Sequence, residues 1–115
     1  MKKDPKIFLQ HILESIEQVE KYTKALTKEE FFNSIEKQDS VVRRLEIIGE
    51  ATKNLPGDYK ETHQDVSWHK AMAMRNILIH EYFGIDLNIV WDTATRILPE
   101  FKEQIRSLPE MSTQN

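Results

Sequence analysis

The sequence predicts an all-α fold, an up-and-down antiparallel bundle of about five helices, on three observations. Apolar residues recur three and four apart over long stretches, and no stretch shows the strict alternation of a half-buried strand. Only three Gly and four Pro occur in 115 residues, too few for the turns of a strand-rich domain. Asp, Thr and Ser stand just ahead of the periodic stretches, where exposed helix amides need a side-chain acceptor.

Asp4 followed by Pro5 reads as an N-cap with Pro at the first helical position. Helix one then spans about residues 5–25 on Ile7, Phe8, His11, Ile12, Ile16, Val19 and Tyr22, with His11 a partly buried packing residue. Thr27 and Glu30 have capping-box spacing and open a short helix with Phe31, Phe32 and Ile35. Asp39 or Ser40 caps a third helix carrying Val41, Val42, Leu45, Ile48, Ala51 and Leu55, and Pro56-Gly57 stops it. Gly49 costs that helix roughly 1 kcal/mol of propensity, offset if it lets another helix come close. Residues 58–66 form a polar connection with room for one helical turn. Ser67 caps a fourth helix from Trp68 to about Glu81, and Gly84 lies where a left-handed residue is wanted. Asp86 caps the fifth, with Leu87, Val90, Trp91, Ala94, Ile97, Leu98, Phe101, Ile105 and Leu108. Pro99 inside that pattern predicts a kink or a break near Leu98. Residues 109–115 read as a frayed tail of a single domain, 1–115. Short connections favour antiparallel neighbours.

Several classes of function are excluded. Without cysteine there is no disulfide scaffold, zinc ribbon, thiol catalysis or iron–sulfur cluster. His63 and His69 lack paired ligand spacing, so no metal site is expected. Burial of roughly two-thirds of the unfolded surface suffices for a core of this size without such staples. No apolar stretch follows Met1 to Asp4 and no apolar run exceeds four residues, so a cytoplasmic chain with neither signal peptide nor membrane span is expected. A net charge of −3 argues against a general nucleic-acid coat and leaves a local basic pocket open.

The fourth helix breaks its own pattern. Trp68, Ala71, Met72, Met74, Leu78 and Ile79 define an apolar arc, and Arg75 falls inside it. A cation there must find a carboxylate, find a ligand or line a cleft. Asn76 and His80 are neighbours four apart. Ile77 lies beyond the core arc, which suggests a second contact surface and hence a homodimer. Arg75 and His80 lie about 140° apart around the axis. They meet only if His80 sits in a fraying last turn or a second subunit contributes. Such a pair suits phosphodiester chemistry: Arg holds phosphate oxygens by paired donors and His moves a proton. RNA brings its own nucleophile, the 2′-OH, so no metal is required. The structural alternative is an interface Arg in an ion pair and a His capping its helix. Glu46 and Glu50 are read as an acid pair, a solvated edge, or partners for Arg75 or Arg44.

The stretch Met74-Arg-Asn-Ile-Leu-Ile-His-Glu-Tyr-Phe-Gly-Ile-Asp86 resembles the signature segment of the HEPN superfamily. More narrowly it resembles the HepT toxin family with its Arg-x4-His-x-Tyr motif. Leu45-Glu-Ile-Ile-Gly-Glu-Ala51, Trp68, Val90-Trp91 and Leu98-Pro99 extend the likeness over nearly the whole chain. The resemblance implies a small HEPN-like helical homodimer. It implies a metal-independent endoribonuclease needing no cofactor, the toxin half of a type VII toxin–antitoxin module. The implied antitoxin partner is an MntA-like nucleotidyltransferase that transfers AMP from ATP to the motif tyrosine. Carried onto this sequence, Arg75 and His80 are catalytic, Asn76 supports them, and Tyr82 receives AMP. AMP there would set phosphate beside Arg75 and His80. Arg44, which also projects into an apolar arc, and Lys53 are the candidate RNA-phosphate contacts, with Arg43 and Lys70 behind them. The competing readings are a non-catalytic helical dimer that docks a nucleotidyltransferase or binds a nucleotide, and a plain helical assembly protein.

Overall fold

Apolar residues three and four apart wind into helices whose buried stripes meet around one long central helix. The computed structural model describes residues 4–80 and 86–112, including the side chains of 4–75 and 86–111. Helix α1 (Pro5–Thr23) begins where expected, with the Asp4 carboxylate accepting from the Lys6 amide at 3.0 Å. Its fully buried stripe is Leu9, Ile12, Ile16 and Val19. His11 stands one step off that stripe and is exposed, not partly buried as its place in the periodic set suggested. Helix α2 (Lys28–Phe32) carries the predicted capping box: Thr27 N–H donates to Glu30 Oε1 and Glu30 N–H to Thr27 Oγ1.

Helix α3 (Ile35–Asn54) starts earlier than caps at Asp39 or Ser40 would allow. Ser34 is the cap, accepting from the Lys37 amide at 3.2 Å. Ser40 lies inside the helix and bonds back to the Glu36 carbonyl. Ile35, grouped by periodicity with the second helix, opens α3 instead and is 72% exposed; the rest of the added turn is polar, so no buried stripe marks it. It is fastened by Gln38, whose Nε2 donates to the carbonyls of Phe31 and Phe32 and ties the start of α3 to the end of α2. Helix α4 (Gly57–Thr62) fills the polar connection, and α5 (Trp68–His80) follows. The expected end at Glu81 and the glycine cap at Gly84 fall outside the described residues.

Asp86 caps α6 (Leu87–Asp92) by accepting from the Asn88 amide at 2.9 Å. A π-helical stretch (Thr93–Ile97) then runs into α7 (Leu98–Arg106). The disturbance predicted near Leu98 is this stretch. Pro99 has no N–H and its ring crowds the carbonyl four residues back. The wider turn relieves the clash and lets the Leu98 amide reach the Thr93 carbonyl, five residues back. The tail is more ordered than expected. Pro109–Ser112 form a last turn, α8, because Met111 packs on the core and Glu110 accepts a hydrogen bond from Tyr59 Oη.

Helix α3 packs against α1 on one side and α5 on the other, and α7 closes over α1. Buried Trp68 meets Phe101 edge-on at 6.2 Å, and Phe31 meets Trp91 at 5.2 Å, so both tryptophans serve in packing as the sequence suggested. No described helix is long and apolar enough to cross a membrane.

The tightest point of this packing is Gly49. A Cβ built there would lie 2.6 Å from Arg75 Cβ and 3.2 Å from both the Ala71 carbonyl oxygen and the Arg75 amide nitrogen. Helix α5 can approach only because the side chain is missing. In Gly49→Ala, overpacking of about 1–3 kcal/mol outweighs a propensity gain of about 1 kcal/mol. The melting temperature followed by circular dichroism should fall by several degrees. Gly57→Ala, which meets open space in α4, should leave it unchanged or slightly raised.

Candidate functional site

The α3–α5 crossing that Gly49 permits places the next residue, Glu50, against Arg75. Arg75 Nε lies 2.7 Å from Glu50 Oε2, with the two side chains 31% and 50% exposed. Of the three partners foreseen for a cation in the apolar arc, the carboxylate is present. Both groups keep solvent contact, so the pair contributes at most about 1 kcal/mol to stability. What it does more effectively is fix a direction. Arg75 is anchored at its base by the α3 backbone and gripped near its tip by Glu50.

The other predicted residues divide by helix face. Lys53 lies exposed in the last turn of α3, three residues beyond Glu50, on a neighbouring face. Half-buried Arg44, six residues before Glu50, is about 120° away around the axis. Arg43 and Lys70 are exposed. Lys70 borders an open groove of about 520 Å³ between α5 and the α6–π segment, where Arg96 is held by Asp92 through Nε and Nη2. The backbone of α5 is helical through His80, but the side chains of Asn76 and His80 lie outside the described residues, as does all of Tyr82.

Two functional supports were missed because they sit in the polar connection, where no periodicity speaks. Lys60 Nζ donates to the carbonyls of Thr52 at 3.1 Å and Lys53 at 3.3 Å, capping the negative end of α3 beside the Met72 sulfur. Burial lowers its pKa from the ordinary lysine value. Tyr59 stacks on His63 at 4.2 Å, and His63 Nδ1 lies 2.9 Å from the Tyr59 carbonyl oxygen. The His63 carbonyl in turn accepts from Trp68 Nε1 at 2.9 Å. Ser67 stands ahead of α5 as predicted, and its carbonyl takes the Lys70 and Ala71 amides, but its hydroxyl accepts from Gln104 Nε2 and not from a helix amide, while its own amide donates to Gln104 Oε1. These contacts clamp the start of α5, and with it the placement of Arg75 two turns later.

The family model described as Ribonuclease HepT-like matches residues 12–108. Over 115 residues the chain is 48% identical to "Gamma-glutamylcyclotransferase and putative RNase MJ0434" of Methanocaldococcus jannaschii. That match takes in 100% of this chain and 52% of the relative, so the chain spans about half of that protein's length. It is 40% identical over 108 residues to "Probable ribonuclease HepT" of Thermococcus cleftensis, covering 94% of this chain and 98% of the relative. It is 40% identical over 106 residues to "Putative RNase TTE0752" of Caldanaerobacter subterraneus subsp. tengcongensis, covering 92% and 95%. No solved structure matches the chain.

The clamp has a pH signature. Tyr59 is held protonated well above the ordinary phenol value, first by burial and then by its hydroxyl's bond to the negatively charged Glu110. The unfolded chain releases this proton near pH 10 while the folded chain keeps it. The unfolded state then binds fewer protons, so stability is full below pH 10 and declines as pH rises above it. Urea unfolding of Tyr59→Phe should therefore show a shallower alkaline loss of stability than the wild type. Equal slopes would mean that the Tyr59–Glu110 bond does not form in solution.

Proposed function

The chain belongs to the HepT-like ribonuclease family, and we propose that it is a metal-independent endoribonuclease that cleaves RNA with Arg75 and His80. The observation that carries this reading is Arg75 itself, a cation in an apolar arc that is braced at both ends and still one-third exposed. Its guanidinium can hold phosphate oxygens by paired N–H donors and neutralise the charge that grows on the pentacoordinate phosphorus. His80 takes the proton from the 2′-OH as that oxygen attacks phosphorus, and a protonated imidazole delivers a proton to the departing 5′-oxygen. The P–O5′ bond breaks, leaving a 2′,3′-cyclic phosphate and a 5′-hydroxyl. A single catalytic His in each chain cannot serve as acid and base at once. The helical offset of Arg75 and His80 likewise favours a site shared between two copies. The working unit in this reading is a homodimer of single HEPN-like domains. Asn76, Arg44 and Lys53 hold the RNA backbone.

In the same reading the protein is the toxin of a type VII toxin–antitoxin module, working in the cytoplasm. A nucleotidyltransferase antitoxin joins the Tyr82 phenolic oxygen to the α-phosphorus of ATP and releases pyrophosphate. The bound AMP occludes the site and repels the RNA backbone.

Wild-type protein should cut total cellular RNA in EDTA. Arg75→Ala and His80→Ala should slow it by about 10²-fold or more. A folded wild type that leaves RNA intact, or variants that cut as fast, would favour the non-catalytic dimer that docks a nucleotidyltransferase. Co-expression with the nucleotidyltransferase should raise the intact mass by whole AMP units in the wild type and not in Tyr82→Phe.

A further inference from the structure

The Arg75–Glu50 pair presents a difficulty for a ribonuclease. A carboxylate beside the phosphate-binding cation repels the substrate, and so exposed a pair contributes little to the fold. Its geometry resolves the difficulty. A planar guanidinium has two edges able to grip an oxyanion, a lateral one containing Nε and a terminal one formed by Nη1 and Nη2. Glu50 meets the guanidinium on its Nε side, as an ion pair with Oε2 2.7 Å from Nε. Among the described residues nothing accepts a hydrogen bond from the terminal edge. The base of the side chain is equally constrained, because Arg75 Cβ abuts the backbone at Gly49. Residues 49 and 50 therefore brace one arginine at two points, and a long side chain with many rotamers is confined to one orientation.

We propose that Glu50 is a positioning residue for Arg75, holding Nε so that the Nη1–Nη2 edge is presented to the scissile phosphate of the RNA. This rests on the reading of Arg75 as a catalytic residue. Glu50 touches no reacting atom; it acts by fixing where the guanidinium donors stand as charge develops on the phosphate oxygens. Binding and turnover should respond in opposite directions when it is removed. Loss of a negative charge favours RNA binding, and loss of orientation disfavours cleavage.

The test uses the full chain and total cellular RNA in EDTA, at limiting and saturating RNA, for wild type, Glu50→Ala, Arg75→Ala and the double variant. Glu50→Ala should cut about tenfold to a hundredfold more slowly at saturating RNA while binding it no more weakly. The double variant should cut no more slowly than Arg75→Ala, because Glu50 acts only through that arginine. Glu50→Gln keeps an oxygen beside Nε and should recover part of the rate. If circular dichroism shows that Glu50→Ala has lost helix, Glu50→Asp replaces it; that variant keeps the charge, withdraws the oxygens by one methylene, and should be slow. A slow Arg75→Ala beside a Glu50→Ala, or its Glu50→Asp substitute, at wild-type rate overturns the positioning role alone. So do losses that multiply in the double variant. A folded wild type that leaves all RNA intact, or Arg75→Ala at wild-type rate, overturns the catalytic reading and this inference with it.

Discussion

Gly49 sets the distance between α3 and α5, and nearly everything that bears on function follows from that distance. With no Cβ at this position the Arg75 Cβ can lie against the α3 backbone. Helix propensity alone would disfavour a glycine in the middle of a twenty-residue helix. The close crossing sets Glu50 within hydrogen-bond reach of the guanidinium and keeps the base of Arg75 in the packed interior. A side chain of any size at 49 would part the helices and leave Arg75 with longer reach and less direction.

A second constraint acts at the other end of α5. The loop that brings the chain back to α5 contains a stacked Tyr59–His63 pair, and the His63 carbonyl receives the Trp68 indole N–H. Gln104 on α7 holds the Ser67 amide. Lys60 terminates α3 from the same loop. The two helices that carry Glu50 and Arg75 are thus tied together through a mostly polar connection that buries Val66. Such ties suit the role proposed for Arg75, which needs its donors held in a fixed place.

What could be read in advance divides along physical lines. Wherever a helix buries an apolar stripe, as α1 does with Leu9, Ile12, Ile16 and Val19, period and caps located it to within two residues. Where burial is replaced by polar ties, periodicity had nothing to register. The first turn of α3, pinned by Gln38, and α8, pinned by Glu110 and Met111, were both missed for that reason. His11 misled in the opposite sense, because a residue next to a buried stripe need not belong to it. At the site, an Arg in an apolar arc was visible as an anomaly, and Glu50 was one of two acids, with Glu46, that could answer it. Choosing among them required knowing which turn of α3 faces Arg75, and that depends on the glycine's place in the crossing. Membership of the HepT-like family came from the assembled segments and not from any one spacing.

The π-helical stretch at Thr93–Ile97 does more than accommodate a proline. Each residue there advances the chain by a smaller angle than in an α-helix, so the stretch works as a phase shifter between the two halves of the C-terminal rod. Upstream, Val90 faces the interior, as Ala94 does within the stretch; downstream, Leu98, Phe101 and Ile105 do so as well. Winding the same five residues as regular α-helix would advance each of them further and swing the downstream half by roughly 75°. Phe101 would then leave Trp68, and Gln104 would leave Ser67, so a change in the C-terminal rod would be felt at the mooring of α5.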